Sequence, residues 1–186
     1  MIAWAQALPI NQSWTAQIDA KISPSFNTGV TGGFGSGKYL EAIFAVVSDL
    51  TVFKYQFGNI LHRDNNTDIS YYFTNVGFQN YTQVDTPTTI SDLILKFDYN
   101  SQTKTIKAQY ADYNTPNIFY DNYSFDITPY TDIGSLYIAA GGFSYGISVP
   151  TDIIIMDNIA IIPEPTALSL VAFGLGVVLR RRRRTV

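Results

Sequence analysis

From Trp14 to Ile22 the chain alternates without a fault. Trp14, Ala16, Ile18, Ala20 and Ile22 fall on one side, and Thr15, Gln17, Asp19 and Lys21 on the other. A period of two is the mark of a strand with one buried face. Residues 39–47, YLEAIFAVV, are apolar on both parities and predict a central strand. Leu93–Tyr99 and Thr105–Tyr110 predict a hairpin. Leu93, Leu95, Phe97 and Tyr99 face one side, Ile106, Ala108 and Tyr110 answer them, and Asn100-Ser101-Gln102-Thr103 supplies the polar turn. Further strands are expected at Val52–Phe57, Ile69–Asn75, Tyr123–Ile127, Leu136–Ala140 and Ile153–Ile161. No helical period is sustained between residues 8 and 162. Short strands at this spacing predict an all-β fold, an antiparallel β-sandwich or barrel.

The last 24 residues break this pattern. Pro163-Glu164-Pro165 is followed by an apolar run, Thr166–Leu179, and then by Arg180, Arg181, Arg182, Arg183 and Arg184. The prolines disfavour continuing the preceding element, so the tail is expected to start as a separate unit. As a helix the run would reach ~21 Å, short for a bilayer core of about 30 Å. Five adjacent cations mark the cytoplasmic side of a membrane segment better than the end of a core element.

Composition sharpens the reading. Aromatic residues make up 15% of the chain, including 13 Tyr and 12 Phe, and there is no cysteine. Thiol catalysis and thiolate metal sites are therefore excluded. The net charge of −3 is uneven: residues 1–162 hold seven Lys and Arg against fourteen acids, a net of −7. Such a body has no basic face for phosphates, which argues against nucleic acid as a partner.

The tail resembles a PEP-CTERM sorting signal, in the order Pro163-Glu164-Pro165, apolar helix, arginine cluster. The resemblance implies a bacterial exported protein, held in the inner membrane through residues 166–179. It also implies an exosortase-type enzyme that cuts near the motif and leaves the body at the cell surface or outside. Export needs an N-terminal signal. Residues 1–7 lack a basic start and an apolar core, but Ala5-Gln6-Ala7 has the A-x-A form of a cleavage site. Residues 1–7 read either as a signal-peptide remnant or as the start of the first strand; both imply a shortened N-terminus and a sandwich lacking an edge strand. The organisation expected is thus 1–7, a sandwich over 8–162, and the sorting segment 163–186.

The order LPINQSWTAQIDAKIS, YLEAIFAVV, LILKFDYNSQTKTIKAQY and a closing MDNIAII resembles the concanavalin A-like lectin and glucanase jelly roll. That resemblance implies a sandwich that binds or cuts carbohydrate.

Candidate chemistry is sparse. Gly32–Lys38 fits a phosphate-binding loop until Tyr39 replaces the required Ser or Thr, and an apolar strand follows where a helix is needed; it reads as a glycine-rich loop. Asp64, Asn66 and Asp68 have the one-three-five spacing of a calcium loop, but Ile69 stands where Gly is required. Asp157 and Asn158 are a second candidate for a structural calcium, and no other cofactor is expected. Glu41 is the body's one glutamate, with no acid two or four residues away, so the paired carboxylates of a glycosidase are missing. His62 has no nucleophile motif nearby and reads as a solvent-side strand-end residue. Fourteen aromatics crowd residues 71–130. Tyr113 with Asn114, and Tyr120-Asp121-Asn122-Tyr123, combine rings that stack on sugars with groups that bond hydroxyls; the alternative is ordinary core packing. The function expected is non-catalytic, polysaccharide binding or a structural matrix role, against a carbohydrate-active hydrolase or lyase.

Overall fold

A computed structural model describes residues 2–3, 7–22, 39–49, 54–64, 67–74, 82–84, 92–145 and 154–164. Among these lie eleven strands: β1 (Ile2–Ala3), β2 (Trp14–Ile22), β3 (Tyr39–Val47), β4 (Gln56–Asp64), β5 (Thr67–Thr74), β6 (Thr82–Val84), β7 (Asp92–Asn100), β8 (Thr105–Asp112), β9 (Tyr120–Asp126), β10 (Tyr137–Tyr145) and β11 (Ile154–Pro163). They form two antiparallel sheets, ordered β1-β10-β3-β4-β5-β6 and β11-β2-β7-β8-β9.

The alternation in β2 is realised residue by residue: Trp14, Ala16, Ile18, Ala20 and Ile22 are buried and the residues between them are half-buried. The β7–β8 hairpin pairs Leu95 with Tyr110, Phe97 with Ala108 and Tyr99 with Ile106, all in the core. Its turn is held by Asn100, whose Oδ1 accepts from the Gln102 and Thr103 amides at 2.9 and 3.1 Å. From the six-stranded sheet, Leu40, Ala42, Phe44, Val46, Phe57 and Leu61 meet these side chains. Phe44 and Phe97 touch across the interface, with ring centroids 5.2 Å apart.

Strand β3 is central, between β10 and β4, and it is buried on both faces, because Ala45 and Val47 join Ala139 in a second apolar cluster. Strand β4 starts where the sequence reading expected a strand to end. Val52 and Phe53 lie outside the described residues, and the ladder runs over QFGNILHRD. His62 is not at the solvent side: it is 2% exposed, and its Nδ1 lies 3.2 Å from Glu41 Oε1 on the neighbouring strand. A sheet buried on both faces has no solvent side for a central strand, so polar residues there must pair.

Two bulges set the parity of the edge strands. In β11 the register shifts between Asp157, opposite Asp19, and Ala160, opposite Gln17. The extra residue lets Ile154 and Met156 before it, and Ile159 and Ile161 after it, all pack on the core. Without it the second pair would face outward. Asn158 takes the left-handed conformation there, with φ 52°, which Asn tolerates better than most residues. In β9 the shift falls opposite Ala108 and Gln109 and leaves Asn122 as the extra residue.

The boundary at Pro163 also differs from expectation. Pro163 completes β11 opposite Trp14, and the Glu164 amide donates to Ser13 O at 3.0 Å. Gln12 Nε2 donates to Glu164 O at 2.7 Å. Pro is tolerated because β11 is an edge strand, where alternate amides face away from the ladder. Residues 165–186, with the apolar run expected to be helical and the arginines, lie outside the described residues, as do Gly32–Lys38 and Ala5-Gln6. Among the described residues no helix is long and apolar enough to cross a membrane.

Candidate functional site

The outer face of the five-stranded sheet carries polar residues, and one end of it is hollowed. The register aligns Ile155 with Lys21 and Lys21 with Asp92, and in the next row Asp157 with Asp19. These five, with Ala20, Tyr113 and Asn158, line a cavity of about 230 Å³. Each lining side chain has a local reason for its place. Asp19 and Lys21 occupy the polar parity of β2. Asp92 opens β7, and its carboxylate meets Lys21 Nζ at 2.8 Å. The β11 bulge turns Asn158 toward Asp19, to whose Oδ2 it donates at 2.7 Å.

Tyr113 reaches the groove because the chain turns sharply after β8. Asp112 Oδ1 accepts from the Asn114 amide at 2.8 Å and from its Nδ2 at 3.0 Å, which is an Asx turn. The Tyr113 amide donates to Asp92 O at 3.2 Å and pins the ring beside the end of β7. Half of Tyr113, 50%, is exposed. An accessible ring beside carboxylates and an amide is an arrangement that can stack on a sugar and bond its hydroxyls.

The other residues chosen from sequence separate. Asn122 is buried and its Nδ2 donates to Asn59 Oδ1 at 2.9 Å, so it serves the core. Asp121 joins a surface ladder, 2.8 Å from both Lys107 Nζ and Gln109 Nε2. Those bonds, Lys107 first and Gln109 second, hold its carboxyl below the usual 3.8. Tyr120 and Tyr123 are exposed at the β9 edge; Tyr120 stacks on buried Tyr110 at 5.4 Å, and Tyr123 meets Phe125 edge-on at 5.0 Å. Asp64 and Asp68 flank the β4–β5 hairpin, registered opposite Thr67 and Arg63 respectively, and Asn66 lies outside the described residues. Among the described residues no three His, Asp or Glu converge as a metal site.

Sequence reasoning missed Asp19, Lys21 and Asp92 as site residues. Their polar parity was visible, but their neighbours on β11 and after β8 are distant in the chain. It did single out Tyr113, as a sugar-stacking ring, and Asp157 and Asn158, as calcium ligands, and the fold brings these three to one groove.

Compared by sequence, the chain matches no protein-family model and no curated protein. Several solved structures share its fold. A functionally unknown protein from Saccharomyces cerevisiae aligns with 86% of this chain and 74% of its own, at TM-score 0.55 and 8% identity. The GH43 protein BlXynB from Bacillus licheniformis aligns with 82% of this chain but only 28% of its own, at TM-score 0.54 and 13% identity. A basic winged bean lectin with Tn-antigen aligns with 88% of this chain and 79% of its own, at TM-score 0.51 and 9% identity. At such identities the likeness is one of fold alone, that of a sandwich of two antiparallel sheets.

Proposed function

We propose that this protein binds carbohydrate without cutting it, in the groove on the outer face of the five-stranded sheet. The observation that carries the reading is the half-exposed Tyr113 ring beside Asp19, Asp92, Asp157 and Asn158 in one cavity. The ring offers an apolar face to a pyranose, and the carboxylates accept from its hydroxyls. The resemblance of residues 163–186 to a sorting signal supports export, membrane retention through residues 166–179 and delivery to the bacterial surface or matrix. A carbohydrate-active enzyme is the rival reading. Its best support is the Glu41–His62 pair, a carboxylate and an imidazole in contact. Their burial keeps them from a polymer in solution and favours binding over catalysis.

The test is a glycan array followed by calorimetry on the hits. Tyr113→Ala should weaken the best ligand about tenfold or more, a loss near 1.4 kcal/mol, and reducing ends should not accumulate. Unchanged affinity in Tyr113→Ala would remove the groove from the reading, and release of reducing ends or unsaturated sugars would replace it with the enzyme.

A further inference from the structure

The groove carries an uncompensated charge. Asp157 is registered directly opposite Asp19, and like charges in facing positions of a sheet repel. Among the described residues of the lining the one cation, Lys21, is already engaged by Asp92 at 2.8 Å. Asn158 gives a single hydrogen bond to each of the facing carboxylates, from Nδ2 to Asp19 at 2.7 Å and from its amide to Asp157 at 2.7 Å. An ionised carboxylate has about four acceptor positions, so both keep capacity toward the cavity. Three Asp and one Lys leave the described lining at −2, in a body of −7.

We propose that the groove takes the primary ammonium group of an amino sugar, held between the Asp19 and Asp157 carboxylates beside the Tyr113 ring. The proposal rests on the sugar-binding reading and narrows it to one substrate class, glycans with free amines. An ammonium brings three donors to two acceptors that face each other. It relieves their repulsion, and its sugar ring lies against an aromatic face that also attracts cations. A bare divalent ion fits less well, because it needs several oxygens closing around one point, and the described residues form no such set. Uronate and sulfated polymers would meet repulsion from the same carboxylates.

The experiment is calorimetry at physiological salt with three oligosaccharides of equal length: a glucosamine oligomer, its fully N-acetylated form and an oligogalacturonate. The glucosamine oligomer should bind about tenfold or more tighter than the acetylated one. Asp157→Asn should bring that ratio close to one without lowering the thermal midpoint. Asp126→Asn removes the same charge at an exposed turn away from the groove and should leave the ratio intact. Equal affinity for the amine and acetylated oligomers, tighter binding of the uronate, or an equal loss in Asp126→Asn would each overturn the ammonium site. If the two chito-oligomers bind alike and Tyr113→Ala weakens both, the sugar-binding reading survives while the ammonium site falls. If none of the three binds and the glycan array is also blank, both fall.

Discussion

Asn59 of one sheet and Asn122 of the other are bonded through their side chains at 2.9 Å, both buried and 63 residues apart in sequence. Asn59 Nδ2 also donates to Gln109 O at 2.6 Å, beside the bulge that displaces Asn122 from the ladder. The Asn59 side chain thus commits both its donor and its acceptor to the facing sheet, inside the core where an unpaired amide would be costly. Asn59→Ala should destabilise the protein by about 2–3 kcal/mol in urea unfolding, and Asn122→Ala by about 1–3 kcal/mol. The double variant should cost less than the sum, because the two share one bond. Strict additivity would show that the pair is not coupled.

Asp157→Asn should stabilise the unliganded protein. Removing one of two facing carboxylates relieves a repulsion of roughly 0.2–1 kcal/mol, and Asn retains an oxygen for the Asn158 amide. A thermal midpoint that rises by a few degrees, and more at low salt than at high, is the expected outcome. A fall would show that the charge itself is needed for the bulge.

Tyr113→Ala should leave stability within about 0.5 kcal/mol of the parent, since a half-exposed surface ring contributes little to the core. Trp14→Ala is the contrast. Trp14 is 1% exposed, packs on Tyr99 at 5.3 Å and donates to Pro9 O at 3.2 Å. Its loss should cost about 3–5 kcal/mol. Comparable unfolding midpoints for the two variants would contradict the assignment of Tyr113 to a surface role.

The Asp121 carboxyl is held below its ordinary range by Lys107 and Gln109. A depressed folded-state pKa contributes stability that is present above the unfolded value of 3.8. That stability is lost as pH falls through the lower folded-state value. Stability measured from pH 6 downward should therefore decline less steeply below about 4 in Asp121→Asn than in the parent. Superimposable acid limbs would show that the ladder contributes nothing, as exposed ion pairs sometimes do.

In cells, replacing Arg180–Arg184 by Ser should release the uncut protein or misplace it, because the cations are what should resist crossing the bilayer. Fractionation and a mass measurement of the released species check this. Unchanged location and processing would turn the tail into an ordinary anchor.

The strands were legible where a single face is buried. In Trp14–Ile22 and in the β7–β8 hairpin, alternation alone fixed which residues enter the core, because successive side chains point to opposite sides of a sheet. Strand β4 was not legible in that way. Both of its faces are buried, so Asn59 and His62 occupy interior positions and the apolar period is interrupted by polar residues whose partners lie on other strands. The segment 153–161 could be recognised as a strand, yet nothing in IIIMDNIAI announces that one extra residue would rotate half of it.

Tyr113, Asp157 and Asn158 were visible one at a time as residue types suited to binding. Their convergence depended on the pairing of β11 with β2 and on the Asx turn after β8, contacts spanning most of the chain. What the sequence determined by itself was the local part: which segments are extended, which face of each is apolar, and the charges at the tail. The tertiary structure decided which polar residues became partners in the core and which became a groove, because that depends on register between distant strands, and a bulge of one residue reverses it.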